Sequence, residues 1–397
     1  MNLEERTAEE KYLRRLFSEH YSKGRITIVK PEQRELGFGG WDKKIEFRHI
    51  AVRSEEALRA KLVAEAPLYV SHSVGYYEFP DARPMIRKNW LGADLVFDLD
   101  AEGHDCGKFT CQTCLDTVKQ DAIKLIEEFL LPDFGFSKSE IWINFSGSRG
   151  YHVHVRSDTV RSLDREARRE IADYVTGTGL SFSTIFGEET AKKKVAEKKY
   201  LGPLPSDGGY KGKIARAVQQ ELQNEKTELA HLLSSKLRDP AKRERFLQSI
   251  NTEIRAEGED DLGKSSWDPI GIGTSSNNRS QRFQAMYEFI LKKYTLAGRI
   301  DANVTADSTK LIRMADSIHG GSGFAAACFQ HSELSGFDPM NDAPVFRQGS
   351  LKVKTVEAVP ALCVADFSFG PLEKDKTLEL PQASAVYLLC KKAAVLA

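Results

Sequence analysis

The chain has 397 residues, and its 57 Lys+Arg balance 57 Asp+Glu, for a formal net charge of zero at pH 7. That length suits one large domain with an insert, or two domains, and the balanced charge excludes a global field as the source of any nucleic-acid affinity. No run approaches the roughly 18 apolar residues of a membrane span, and an N-terminus carrying Glu4, Glu5, Glu9 and Glu10 does not read as a signal peptide, so a soluble, cytoplasmic protein with no membrane partner is expected. Three of the six cysteines crowd between Cys106 and Cys114, a distribution that suits metal ligation better than disulfides.

In chain order, residues 3–21 form an amphipathic helix around Tyr12, Leu13, Leu16 and Phe17, ended near Gly24. Arg34-Glu35-Leu36-Gly37-Phe38 reads as a glycine-containing turn, and Ile45 to Ile50 as an alternating strand with Glu46, Arg48 and Ile50 on one face. A mid-strand arginine is ordinarily solvated; Arg48 becomes a phosphate ligand only if its face meets acids elsewhere. Ser54 caps a helix to about Glu65, and Pro67 to Tyr77 gives a strand and turn. The organising stretch is Ala93 to Asp100, a buried strand whose alternation puts Asp98 and Asp100 on one face. Carboxylates that close repel by about 4 kcal/mol at an effective dielectric near 20 unless a cation lies between them, and oxygen ligands favour magnesium or manganese. A strand end with two solvated acids is the other reading of Asp-x-Asp.

Next come His104-x-Cys106 and Cys111-x-x-Cys114, four ligands that close a tetrahedral, structural zinc site, with a redox-active cysteine pair as the alternative. Asp116 to Leu131 is helical and stopped by Pro132. Ile141 to Phe145 and Tyr151 to Val155 are strands joined by Ser146-Gly147-Ser148-Arg149-Gly150, a small basic hairpin loop suited to cradling an anion, with His152 and His154 on the next face. From about 161 to 274 the composition turns helical and charged, with helices over 161–174 and 213–250. A lysine run at Lys192, Lys193, Lys194, Lys198, Lys199, Lys211 and Lys213 fits a solvated surface or a nucleic-acid contact, and 260–280 reads as a return linker. Ser280 to Leu296 resumes a helix, Ile300 to Val304 sets Asp301 at a strand edge, Leu311 to Met314 reads as helical with Arg313, and His319-Gly320-Gly321-Ser322-Gly323 is a second glycine-rich loop. The tail alternates like strands near Leu351 to Val359 and closes in an apolar helix from about Gln382.

Three acids, three basic or histidine-bearing segments and a structural metal are the inventory of nucleotidyl transfer. Asp98-Leu99-Asp100, Ser146 to His152, Asp301-Ala302-Asn303-Val304-Thr305, and Arg313 with His319 to Gly323 resemble, in order, the motifs of the catalytic small subunit of archaeal and eukaryotic DNA primase, the archaeal branch more closely. The Arg-Glu-x-Gly-Phe and Phe47-Arg48-His49 elements, the zinc knuckle, the helical insert and the terminal helix extend the resemblance over nearly the whole chain. It implies an α/β (α+β) fold: a mixed-sheet catalytic domain over 1–160 and 275–397 with its zinc knuckle at 104–114, and a mainly helical insert over 161–274. It also implies de novo RNA primer synthesis on single-stranded DNA from NTPs, with dNTPs as further substrates and a separate large subunit as partner in the replication machinery. Asp98, Asp100 and Asp301 would hold catalytic Mg2+ or Mn2+. Arg48, Ser146, Arg149, His152, Arg313 and His319 would hold the triphosphate. His104, Cys106, Cys111 and Cys114 would hold Zn2+. A repair- or plasmid-type primase-polymerase and a catalytically silent nucleic-acid-binding subunit are the competing readings.

Overall fold

A computed structural model of the protein describes residues 7–101, 107–181, 184–185, 201–221, 227–235, 239–241, 244, 255–256, 265–266 and 276–397. The chain divides into two compact units, residues 1–172 with 299–397, and residues 173–298. Among the described residues no helix is long and apolar enough to cross a membrane.

The larger unit begins with α1 (Ala8–Lys23), whose first turn is closed by the Thr7 side chain accepting from Glu10 N–H and which buries Leu13, Leu16, Phe17 and Tyr21. Strands β1 (Leu36–Gly39) and β2 (Phe47–Ile50) lead to α2 (Glu55–Glu65), capped by Ser54 as expected, and then to β3 (Tyr69–Ser73), β4 (Gly75–Tyr77), β5 (Trp90–Ala93) and β6 (Leu95–Asp100). Helix α3 (Gln112–Lys124) runs into a π turn over Leu125–Leu130, so the helical stretch starts four residues before Asp116 and ends just ahead of Pro132. After it come β7 (Ile141–Phe145), β8 (Gly150–Val155) and α4 (Arg165–Thr176). The chain returns with α5 (Ala302–Ala306), β9 (Leu311–Arg313), β10 (Cys328–Gln330), β11 (Ser350–Thr355), β12 (Thr377–Pro381), α6 (Gln382–Cys390) and β13 (Ala394–Leu396).

Two four-stranded antiparallel sheets carry this unit, ordered β9-β3-β1-β2 and β10-β7-β8-β6. On the second sheet Leu95, Phe97 and Leu99 of β6 and Tyr151, Val153 and Val155 of β8 are fully buried on one face, where α3 packs. The opposite face meets the first sheet: Val96 clusters with Val74 and Ile312, and the His72 and His154 rings lie 6.3 Å apart. Alternation therefore turns Asp98 and Asp100 toward the first sheet.

Four expectations are corrected. Among the described residues the two sheets are antiparallel rather than mixed, because neighbours such as β7 and β8 are joined by short hairpin turns. Leu36–Gly39 is a strand rather than part of a turn, because it pairs with both β2 and β3. Leu311–Arg313 is a strand rather than a helix, because pairing with β3, Ile312 opposite His72, supplies the hydrogen bonds that a four-residue apolar run cannot make for itself. Asp301 is the N-cap of α5 rather than a strand residue, its carboxylate accepting from Asn303 N–H at 2.9 Å. The tail keeps its strand and apolar helix and adds β13 beside β11.

The limits of the units lie beyond 160 and 275 for identifiable reasons. Arg168 of α4 is buried and donates to the carbonyls of Ala93, Asp94 and Val160, which ties the start of α4 to the larger unit. The helix Ser276–Tyr294 packs with helices Gly209–Glu221 and Glu228–Ser235 of the smaller unit. There Ile214, Val218, Leu229, Met286 and Ile290 are buried, and Glu221 accepts from Lys293 and from the Tyr294 hydroxyl. Lys192, Lys193, Lys194, Lys198 and Lys199 lie outside the described residues; Lys211 and Lys213 fall on the helix Gly209–Glu221.

Candidate active site

Asp98 and Asp100 open onto a cleft of about 630 Å³ in the larger unit. Register places Asp98 opposite His152 and Asp100 opposite Gly150, with His152 Nε2 3.4 Å from Asp98 Oδ1. Gly150 has to be glycine, because a Cβ there would run into Asp100 Oδ1 and Leu99 O. Burial pulls the His152 imidazole down to about 4, against the opposing pull of Asp100, so the ring is neutral at pH 7.

The hairpin loop and the second glycine-rich loop, 173 residues apart between Ser146 and His319, are locked together. Ser322 Oγ donates to the Gly147 carbonyl. Gly147 adopts φ +81°, and a Cβ on it would sit 2.6 Å from His319 Cβ. Ser146 Oγ accepts from Gly150 N–H at 3.1 Å, closing the turn, while Arg149 donates to the Gly107 carbonyl on the segment that follows the acids. His319 Nδ1 accepts from Gly321 N–H at 3.2 Å, leaving Nε2 as the protonated nitrogen of a neutral ring; burial, reinforced by Arg313, holds its pKa well below the ordinary histidine value. Arg313, on β9, is buried with one hydrogen bond to the Val70 carbonyl, and burial lowers its pKa to about 10. The Tyr69 ring supports both side chains, 4.9 Å from the Arg313 guanidinium and 5.1 Å from the His319 ring.

Asp98, Asp100, Ser146, Arg149, His152, Arg313 and His319 thus line one cleft. Asp301 does not line the cleft; its backbone N–H donates to the Asp98 carbonyl at 3.1 Å beside a bridge between Leu99 and Ile300, while its carboxylate caps α5. Arg48 does not line the cleft. Its Nε donates to buried Glu35 at 2.8 Å, and Glu35 also pairs with Lys88 at 3.0 Å, so Arg48, on β2, joins an ion cluster centred on Glu35. His104 and Cys106 lie outside the described residues; Cys111 is the N-cap of α3 and Cys114 lies buried in its first turn. Among the described residues no three His, Cys, Asp or Glu side chains are grouped to hold a metal.

Lys44, Ser71, Lys310 and Lys391 also line the cleft, and Tyr69 braces it. Sequence reasoning missed them because none sits in a glycine loop or beside an acid pair; only the register of β3 with β9 reveals Ser71 opposite Arg313. The result is five cations, Arg149, Arg313, Lys44, Lys310 and Lys391, facing two acids. Such a surface attracts a polyanion, and the acid pair supplies hard oxygen donors for a divalent cation accompanying it.

A family model described as "DNA primase small subunit" matches residues 97–330, which span both acids, both loops and Arg313. Over 399 residues the chain is 34% identical to the DNA primase small subunit PriS of Methanocella arvoryzae, covering 96% of this chain and 97% of that protein. The PriS of Methanothrix thermoacetophila is 35% identical over 401 residues with the same coverage, and that of Haloarcula marismortui 31% over 358 residues, 86% of each chain. Likeness running nearly end to end with archaeal relatives, over a cleft in which these motifs meet, establishes that the chain belongs to the DNA primase small subunit family.

Proposed function

We propose that the chain is the catalytic small subunit of an archaeal-type DNA primase, a nucleotidyltransferase that synthesises short RNA primers de novo on single-stranded DNA from NTPs, with dNTPs as a second substrate class. The observation that carries this reading is the single cleft that joins Asp98 and Asp100 to the Ser146–Arg149 and His319 loops and to Arg313. Arg149, Arg313 and the Nε2–H of His319 hold the triphosphate oxygens, charge-assisted where an arginine donates, and fix the α-phosphate in line with the attacking 3′-hydroxyl. Ser146 keeps the loop turned so that Arg149 faces the cleft, and neutral His152 donates or accepts beside Asp98 without adding charge.

The donor set fits Mg2+ or Mn2+: two carboxylates on one strand face at an open cleft, with Asp301 tethered alongside, suit a cation that keeps several waters and takes its remaining ligands from substrate phosphates. When bound, such cations would lower the pKa of the attacking hydroxyl and offset the negative charge on the phosphate oxygens and the departing pyrophosphate. Cys111 and Cys114, three apart at a helix start, have the spacing of a Cys-x-x-Cys zinc half-site, and with His104 and Cys106 they would hold a structural zinc. The helical unit 173–298 is proposed as the insert subdomain, and a large subunit and the DNA template as the macromolecular partners in the cytoplasmic replication machinery.

The test is primer-free synthesis on a homopolymer template with each nucleotide type. Asp98→Ala abolishes product and metal-dependent pyrophosphate release while melting like wild type; synthesis at the wild-type rate in that variant would refute the mechanism.

A further inference from the structure

Of the five cleft cations, Lys391 alone comes from the C-terminal side of the matched segment 97–330; it caps the C-terminal end of α6, a helix buried from Ala383 to Cys390. That helix underlies the His319 loop. Phe324 stacks on Tyr387 with ring centroids 5.2 Å apart, and Gly323, at φ +72°, lies so close that a Cβ on it would sit 2.5 Å from Val386 Cγ1. The Tyr387 hydroxyl accepts from Thr110 N–H at 2.8 Å, which draws in the segment whose Gly107 carbonyl receives Arg149. The end of α6 is therefore pinned to both anion-binding loops, and Lys391 Nζ is held 5.3 Å from the Tyr387 ring centroid. No described carboxylate pairs with it, and its charged neighbours are Arg149 and Lys108. Burial, then Arg149, lowers its pKa to about 8, which leaves it mostly protonated at neutral pH. An ammonium drawn out of water among other cations is unfavourable until an anion arrives.

We propose that Lys391 binds the terminal phosphates of the incoming nucleoside triphosphate, extending the anion subsite of Arg149 and His319 onto the end of the C-terminal helix. This rests on the primase reading of the cleft for its substrate but not for its test. The competing role is purely structural, a cation placed favourably at a helix C-terminus.

The two roles separate by equilibrium binding of ATP and AMP to the full chain in excess Mg2+, by calorimetry. Lys391→Met should weaken ATP by about tenfold, as loss of a charge-assisted hydrogen bond does, and AMP by less than twofold; Lys391→Arg should restore most of the ATP affinity. The ratio of two affinities in one sample is insensitive to the fraction folded, so a less stable variant still reports. ATP and AMP weakened alike, ATP unaffected, or Lys391→Arg no better than Lys391→Met would each overturn the proposal. Failure of Asp98→Ala to stop synthesis would remove the primase mechanism while leaving this ratio standing.

Discussion

Asp94 lies four residues before Asp98, and replacing it tests what holds the acidic strand in place. Arg34 is fully buried and donates to Asp94 Oδ2 at 2.6 Å, to the carbonyls of Ser73 and Val74 at 2.9 and 2.8 Å, and from Nε to Val29 at 3.2 Å, with its guanidinium 3.6 Å over the Tyr76 ring. The Tyr76 hydroxyl donates to the other Asp94 oxygen at 2.8 Å. Burial alone would raise the Asp94 pKa, but Arg34 outweighs it and holds the carboxyl below its usual range. Asp94→Ala strands a buried guanidinium, at a cost of about 3–5 kcal/mol. For a unit of this size that lowers Tm by roughly 10 °C. Arg34→Met/Asp94→Leu removes both charges and should lose less than Asp94→Ala alone, because the desolvation penalty disappears with the pair. Thermal and urea unfolding followed by the fluorescence of the four tryptophans measures both variants. A loss below about 1 kcal/mol in Asp94→Ala, or a double variant worse than the sum of the two single ones, would refute the claim that this pair clamps β6 to the first sheet.

Three further outcomes are expected. Gly147→Ala should cost about 1–3 kcal/mol and weaken ATP, because left-handed backbone strain adds to the collision with His319; Gly135→Ala, at φ +71° in open space, should show the strain alone and leave ATP binding unchanged. Burial pulls His72 down to about 3, with Arg34 adding to the effect, so the unfolded chain takes up a proton below about pH 6.5 that the folded chain refuses until pH 3. Stability should fall as pH drops from 7 to 5 by about 2 kcal/mol through this residue, and His72→Gln should flatten that part of the urea-midpoint profile; an unchanged slope would show that His72 titrates in the fold. Zinc chelation should speed amide exchange at 107–110 and release Arg149 from Gly107 while β6 and β8 stay protected; equal exchange with and without chelator would remove the zinc knuckle.

Local chemistry was legible in the sequence and its positioning was not. The β6 and β8 strands, the Ser54 cap and both glycine loops follow from alternation, capping and turn chemistry within a few residues. Arg34 and Glu35 looked like parts of a turn, because their partners Asp94, Lys88 and Arg48 are 13 to 60 residues away and a buried ion pair leaves no periodic trace. The same distance hid the pairing of Arg48 with Glu35 and the presence in the cleft of Lys391, at the end of a helix whose Tyr387 stacks on Phe324 of the His319 loop. Even the glycines carried a second meaning. Gly147 and Gly150 read as freedom for a backbone to approach an anion, yet in the fold they admit His319 and Asp100 at distances a Cβ would forbid. The motif glycines therefore let His319 and Asp100 pack against the hairpin loop as much as they free its backbone. Widening either contact by one methyl should disturb the geometry of acid and histidine before it disturbs any contact with phosphate.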